Sequence, residues 1–380
     1  MRELVALDLP GGPAFLGELR SIWDNGDAVL VVDQRLPQQA KESLLLQMGA
    51  HHVVSGATRT RLHADVEPME DDDALVVATS GSTGVPKGVV HTHSGLRAAS
   101  EITSAALHGN EDVHWLACLP LSHIGGFGVV SRAIHSETAL TVLPAFNVET
   151  VLQAAIDGCT HVALVVTALQ RINPLSFQRV LLGGSAMPSP LPSNAVATYG
   201  LTESCGGVVY NGFPLSGVEV DISSDGEVLL RTPTAMRTYR STLATSSSCL
   251  DSDGWLHTGD LGTLGDDGRL SIHGRKGDLI ISGGENIWPE SVESVLREHP
   301  SVADVGVAGV DDQEWGQRVV AWVVPAANTS VSLQELRDYV ATSLPRFCSP
   351  REIFIVDALP RTALGKLQRH LLSNSSTNSQ

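Results

Sequence analysis

The stretch VVATSGSTGVPKGVVHTH, residues 76–93, decides how the rest of the chain is read. Its middle carries the hydroxyls of Thr79, Ser80, Ser82 and Thr83, the glycines Gly81, Gly84 and Gly88, and Lys87. Glycines let a backbone approach a ligand closely, and backbone N–H groups, hydroxyls and a lysine all donate to phosphate oxygens. A strand is expected over 74–78 before the loop and a helix over 96–106 after it, so the loop is read as joining a strand to a helix. The spacing is not that of a P-loop, G-x-x-x-x-G-K-[ST]. Here Gly84 is followed by Val85, Pro86, Lys87 and Gly88, so the lysine is displaced and no hydroxyl follows it to meet magnesium. A flexible Ser/Gly linker does not account for the Pro-Lys-Gly ending between apolar runs.

Working outward, apolar runs at 28–32, 52–54, 74–78, 113–119, 139–143, 161–166 and 179–182 read as strands, with helical stretches at 38–48 and 96–106 among them. The order is α/β with largely parallel pairing. The longest apolar run, 162–169, reads as one buried strand. From 217 the texture changes: short alternating runs at 219–222, 227–231 and 269–272, punctuated by Ser-Asp-Gly and Asp-Asp-Gly, read as a small antiparallel β unit. A further unit reads strand 279–282, helix 289–298, strands 302–310 and 318–324, helix 333–343 and strand 352–356. The expected fold is therefore α/β: a large N-terminal α/β domain with a small antiparallel β subunit, and a compact, mobile α+β C-terminal domain. The boundaries are placed at 1–274, a hinge at 275–277, 278–372, and a polar tail at 373–380 expected to be disordered.

The chain has 380 residues, and 25 Lys and Arg against 42 Asp and Glu leave a net charge of −17. That balance argues against a nucleic acid or an anionic membrane as partner. The five cysteines Cys118, Cys159, Cys205, Cys249 and Cys348 form no CxxC pair and suit a reducing compartment. Asp8, Pro10, Gly11 and Gly12 break the N-terminus too early for a signal peptide. No apolar run approaches the roughly 20 residues of a membrane span. The cytoplasm is the expected location, and homo-oligomerisation is left open.

Taken with the motifs that follow it, the opening loop resembles the phosphate-binding loop of the adenylate-forming superfamily: acyl- and aryl-CoA ligases, luciferases and the adenylation domains of peptide synthetases. LPLSHIGGFG, 119–128, resembles the segment that borders the acyl pocket and contributes Ser122 and His123. It has no aspartate of the kind that amino-acid-activating members use. LLGGSAMPSP, 181–190, resembles the turn that runs along adenine, with Gly183, Gly184, Ser185 and Ala186. TYGLTES, 198–204, resembles the most diagnostic short motif after the loop. By that resemblance Tyr199 stacks on adenine, Thr198 and Gly200 belong to the same nucleotide site, Thr202 bonds the α-phosphate, and Glu203 holds magnesium together with Thr83. In WLHTGDLG, 255–262, Asp260 would accept from the ribose hydroxyls. IHGRKGDLIISGGENIWP, 272–289, supplies Arg275 for the ribose and phosphate region, and Gly277 stands at the hinge position where the family commonly has Asp or Lys. LPRTALGKLQR, 359–369, supplies Lys366. The resemblance covers 74–370, with an early subdomain that reads as trimmed.

The resemblance implies two half-reactions. A carboxylate attacks the α-phosphorus of ATP, with Lys87, Thr202, Glu203, His123 and Lys366 as the catalytic set, Mg2+ as the metal and CoA as the thiol co-substrate. The small domain then turns about 275–277, withdraws Lys366, and the Ser282-Gly283-Gly284-Glu285 loop lines a path for the thiol. SGGENIWP, together with TESCGGVVYNGFPLSGVEV at 202–220, is similar to the short actinobacterial-type 2-succinylbenzoate–CoA ligases of menaquinone biosynthesis. The acid would then be o-succinylbenzoate, its ring carboxylate met by Ser122, His123, Ser204 and the Gly206-Gly207 backbone. Other aryl or short-chain acyl-CoA ligases, or an enzyme that loads an aryl group onto a separate carrier protein, remain as alternatives. A non-catalytic nucleotide-binding relative would be expected to lack Glu203 or Lys366, and both are present.

Overall fold

The run LVAL at the start of the strand Leu4–Asp8 is wholly buried, as is AVLV in the strand Ala28–Val31. Strands covered on both faces need such unbroken apolar runs, and these two form the middle of the first sheet. The computed structural model describes residues 2–62, 66–79, 86–107, 112–184, 187–188, 190–242, 248–362 and 367–372. It divides into two units, Met1–Val220 with Leu229–Thr258, and Asp221–Val228 with Gly259–Gln380.

In the first unit, one seven-stranded sheet runs Thr238–Arg240, Lys87–Thr92, Asp73–Thr79, Ala28–Val31, Leu4–Asp8, His52–Ser55, Thr58–Arg61. Its centre is parallel and its two ends are antiparallel. The helix Pro13–Asp24 begins on a proline and buries Phe15, Leu19 and Ile22, spaced four and three residues apart along one face. The phosphate-loop segment departs from expectation. The strand Asp73–Thr79 does not lead into a helix; the chain turns back as the antiparallel strand Lys87–Thr92, with Thr79 opposite Lys87. The helix His93–Leu107 follows only then.

The second seven-stranded sheet runs Phe213–Pro214, Gly206–Tyr210, Ala195–Leu201, Arg179–Leu182, His161–Leu164, His114–Ala117, Ala139–Val142. It is parallel except at the first two strands. The run expected as one strand over 162–169 is divided: strand His161–Leu164 gives way to one helical turn, Val166–Leu169. On that side its neighbour Arg179–Leu182 pairs along 161–164 and no further. Ala168 and Leu169 bury themselves in the same core cluster by folding back. An unbroken apolar run does not distinguish these outcomes.

A four-stranded sheet carries the order Glu219–Ile222, Glu227–Arg231, Leu256–Leu264, Leu270–Arg275, its last two strands antiparallel, in the region read from 217 onward as a small β unit. The second unit also holds a five-stranded sheet, in which Val302–Asp312 and Gly316–Pro325 form a long hairpin and Glu352–Ile355 joins in parallel. Helices Pro289–Arg297 and Leu333–Val340 cover it with Val292, Leu296, Leu336 and Val340. Ser332 and Glu335 close the second helix with a capping box. SGGE forms a tight hairpin turn: Gly283 at φ 61° and Gly284 at φ 85° adopt the left-handed pair that a two-residue turn requires. Arg369 is held by Asp278 at 2.7 Å and by Glu290 and Glu293 at 2.8 Å each, and its Nε donates to the Val307 carbonyl at 2.9 Å. Among the described residues, no helix is long and apolar enough to cross a membrane.

Two buried polar groups in the first sheet give measurable consequences. The Asp73 side chain is fully buried and takes a forked pair of bonds from Arg237, Nε to Oδ1 at 2.7 Å and Nη2 to Oδ2 at 2.8 Å. Arg237→Met strands that carboxylate and is expected to lower stability by about 3–5 kcal/mol in urea denaturation; a loss under about 1 kcal/mol would show that the pair is dispensable. His91 is completely buried, and burial pulls its imidazole down to about 4 from 6.5. Between those values the unfolded chain binds a proton that the native chain does not, so stability falls as pH drops from 6.5 toward 4. The loss is about 3 kcal/mol at about 1.4 kcal/mol per pH unit. His91→Leu is expected to flatten this part of the pH–stability curve measured by thermal melts.

Candidate active site

The TYGLTES motif occupies the end of the strand Ala195–Leu201 and the turn into Gly206–Tyr210. The turn is tight for identifiable reasons. The Leu201 amide donates to Ser204 Oγ at 2.8 Å, and Ser204 Oγ donates to the Gly206 carbonyl at 2.9 Å. A Cβ on Gly200 would lie 1.9 Å from the Gly206 carbonyl oxygen, and one on Gly207 would lie 2.8 Å from Thr198 Cβ, so neither position admits a side chain. Gly183 is packed the same way, 2.7 Å from Thr198 Oγ1, which donates to the Leu182 carbonyl at 3.2 Å. Thus Gly183, Thr198, Gly200 and Gly207 form one close-packed backbone wall, flanked by Tyr199 and by Gly184 at φ 87°. Ser204 differs from its expected place. It is wholly buried with its hydroxyl committed to the turn, so it is not a donor toward a ligand.

The turn projects Glu203, whose carbonyl accepts from the Met236 amide at 2.7 Å. Lys87 and Glu203 are brought together: Lys87 Nζ lies 4.0 Å from Glu203 Oε1. Tyr239, which the sequence reading did not single out, sits between them. Its hydroxyl donates to Glu203 Oε1 at 2.8 Å and lies 3.0 Å from Cys249 Sγ, while Lys87 Nζ stands 3.7 Å from the ring centroid. Burial pushes the Tyr239 phenol up, so it stays a neutral donor. Among the described residues no three His, Cys, Asp or Glu side chains gather as a metal cage. A lone carboxylate suits Mg2+, which is commonly held by one or two carboxylates plus substrate phosphates.

His123 precedes the helix Ile124–His135, and Arg35 Nη2 approaches its Nε2 at 3.3 Å. Arginine only donates, so Nε2 accepts; the ring is neutral with its proton on Nδ1. Burial, which lowers the His123 pKa, acts in the same direction. Arg35 is in turn forked onto Asp33, at 2.8 and 2.6 Å, and holds that carboxyl down at about 2. Ser122 Oγ is buried with no hydrogen-bond partner among the described residues.

A further residue went unread in the sequence. Arg132, on the same helix, has buried Nε and Nη1 atoms with no partner among the described residues, and its guanidinium lies 4.6 Å from the Trp115 ring. Burial pulls its pKa below the ordinary value, and Tyr210 and Cys205 are the ionisable groups nearest it in effect. The signal was present: one arginine in a twelve-residue helix whose neighbours Val129, Val130, Ser131 and Ala133 are all buried.

In the second unit, Asp260 and Arg275 face each other across paired strands, and Arg275 Nε meets Asp260 Oδ1 at 2.8 Å. Gly277 lies in the single turn Lys276–Asp278, and a Cβ added there would meet nothing within 4 Å. The expected site residues Ser80, Gly81, Ser82, Thr83, Gly84, Ser185, Ala186 and Lys366, and the tail 373–380, lie outside the described residues.

The chain resembles known proteins along most of its length. The family model described as AMP-binding enzyme matches residues 14–240, and that of the AMP-binding enzyme C-terminal domain matches 291–366. The match begins well before the motifs at 74, and includes the N-terminal helix. A probable 2-succinylbenzoate–CoA ligase of Mycobacterium tuberculosis is 35% identical over 395 residues, covering 97% of this chain and 97% of the relative. The 2-succinylbenzoate–CoA ligase of Bacillus subtilis is 32% identical, over 94% of this chain and 80% of its own. The B. subtilis o-succinylbenzoate CoA synthetase solved with its acyl-adenylate intermediate superposes at a TM-score of 0.86 with 28% identity, over 100% of this chain and 88% of that one. The same enzyme with ATP and magnesium ion gives 0.86 and 28%, over 98% and 89%. With both family models matched in order, the chain belongs to the AMP-binding, adenylate-forming enzymes.

Proposed function

We propose that the chain is a 2-succinylbenzoate–CoA ligase of menaquinone biosynthesis. It adenylates o-succinylbenzoate with ATP and passes the acyl group to CoA, giving the thioester, AMP and pyrophosphate. The observation that carries the choice of acid is Arg132. A buried cation with two unpartnered nitrogens is unfavourable unless an anion completes it. o-Succinylbenzoate brings two carboxylates; the aliphatic one reacts, and the ring carboxylate is the anion that Arg132 would take. Ser122, with its orphaned hydroxyl, His123, and the Gly206-Gly207 backbone complete the acyl pocket. The similar ligases support this reading because they are named for that acid and match this chain nearly end to end.

In the first half-reaction a carboxylate oxygen bonds to the α-phosphorus as the bond to pyrophosphate breaks. Lys87, Thr202, the Thr79–Gly84 loop and Lys366 would donate to the phosphate oxygens and so stabilise the charge that develops there. Glu203, with Thr83, would hold Mg2+, which supplies neutralisation of the triphosphate. His123, fixed by Arg35, offers Nδ1–H as a donor. Tyr199, Gly183 to Ala186, Asp260 and Arg275 bind adenosine. In the second half-reaction the CoA thiolate bonds to the acyl carbon and AMP leaves. We assign 275–277 as the hinge between the 1–274 and 278–372 domains that brings Lys366 in for the first step and removes it for the second. Gly277 has no steric need to be glycine, which leaves backbone freedom as its reason. ATP and CoA as partners, and five free cysteines, favour the cytoplasm.

Pyrophosphate release with o-succinylbenzoate, set against 4-oxo-4-phenylbutanoate, which lacks the ring carboxylate, tests the acid. The expected preference is about 10–100-fold, and Arg132→Gln should erase it by raising KM for the diacid alone. Equal use of both acids by the unaltered enzyme would sink the proposed substrate. Gly277→Pro should spare adenylate formation and slow thioester formation, whereas Lys366→Ala should slow adenylation by about 10²–10³ and spare thioester formation from supplied acyl-adenylate. Equal loss of both steps in Gly277→Pro would remove the hinge.

A further inference from the structure

We propose that Tyr239 is a positioning residue for adenylation: its hydroxyl fixes one carboxylate oxygen of Glu203 so that the other is presented to the metal. This rests on the reading above in which Glu203 holds Mg2+. Three separate stretches of chain meet at the ring. Tyr239 lies opposite Val89 in the pairing of Thr238–Arg240 with Lys87–Thr92. Lys87 is two residues from Val89, so it emerges on the same face and stands over the ring at 3.7 Å. Glu203 arrives from the TES turn, and its Oε1 accepts from the phenol at 2.8 Å.

The direction of the proton chain follows from the groups themselves. An ionised carboxylate only accepts, so the single phenolic proton of Tyr239 points at Glu203. Cys249 Sγ, 3.0 Å from the same phenolic oxygen, must then be the donor to it. The order is Cys249 S–H to Tyr239 O–H to Glu203 Oε1. Oε1 is thereby occupied by the phenol, with the Lys87 ammonium 4.0 Å away. Oε2 has no partner among the described residues. A carboxylate held at one oxygen cannot rotate between coordination modes, and the ion meets a preset ligand rather than one it must order.

Tyr239→Phe isolates this claim, because phenylalanine keeps the ring beneath Lys87 and removes only the hydroxyl. The measurement is calorimetric binding of α,β-methylene-ATP, with and without Mn2+, to the full-length enzyme, Tyr239→Phe and Glu203→Gln. The unaltered enzyme should bind the nucleotide more tightly with metal. Tyr239→Phe should lose about 10-fold of that metal-dependent gain, the size expected for one hydrogen bond to a charged group, with metal-free affinity and Tm unchanged. The Mg2+ concentration giving half-maximal pyrophosphate release should rise by about the same factor. If Glu203→Gln loses the gain and Tyr239→Phe keeps it, the positioning role is overturned while the reading of Glu203 stands. If Glu203→Gln keeps the gain, that reading fails and the proposal with it. A Tyr239→Phe loss that is equal with and without metal would mark the hydroxyl as structural and also overturn the proposal.

Discussion

The register between Lys87–Thr92 and Thr238–Arg240 is the constraint on which the site depends. It sets Tyr239 across from Val89, and so puts Tyr239 and Lys87 on one face of the sheet edge. A slip of one residue would send the phenol to the opposite face, because side chains alternate with a period of two. Glu203 would then meet Lys87 without its second tether. The register is secured from both sides: the Arg237 amide bonds the Val90 carbonyl at 2.9 Å, and the Met236 amide bonds the Glu203 carbonyl at 2.7 Å. A short edge strand of three residues thus carries a disproportionate part of the geometry.

The arginines divide by how their forks are filled. Arg237 is filled by Asp73 and Glu70, Arg35 by Asp33, and Arg369 by three carboxylates and a carbonyl. Each is a structural clamp whose charge is answered within its own unit. Arg132 is the contrast, because two of its nitrogens are buried and unanswered among the described residues. The aromatic face of Trp115 supplies part of the missing stabilisation. The proposed choice of acid rests on that open fork.

Much of this was legible in the sequence, and the residues explain where legibility stopped. Asp260 and Arg275 sit in motifs that name them, and the structure pairs them across neighbouring strands. The glycines of TYGLTESCGG are required by contacts within ten residues of chain, so their local spacing was informative. The strand Leu4–Asp8 was missed because five residues before Pro10-Gly11-Gly12 look like a broken leader, yet it lies in the middle of a sheet. The loop after Thr79 was read as leading to a helix because KGVVHT carries no signal that it pairs backward. Arg35 and Tyr239 could not be placed from sequence, because their partners His123 and Glu203 lie 88 and 36 residues away; Arg132 stood out within its helix, but the sequence does not state who meets it.

The clamp between Asp73 and Arg237 spans 164 positions of chain. On a ribosome making about 5–20 residues per second, Asp73 emerges roughly 10–30 s before the arginine that answers it. Through that interval the strand Lys87–Thr92 is the open edge of an unfinished sheet, and the acid beneath it keeps its water. The first sheet therefore gains its last strand late, after the second sheet has been synthesised in full. Until Thr238–Arg240 arrives, Lys87–Thr92 presents an unpaired edge of the kind that can template pairing with another chain.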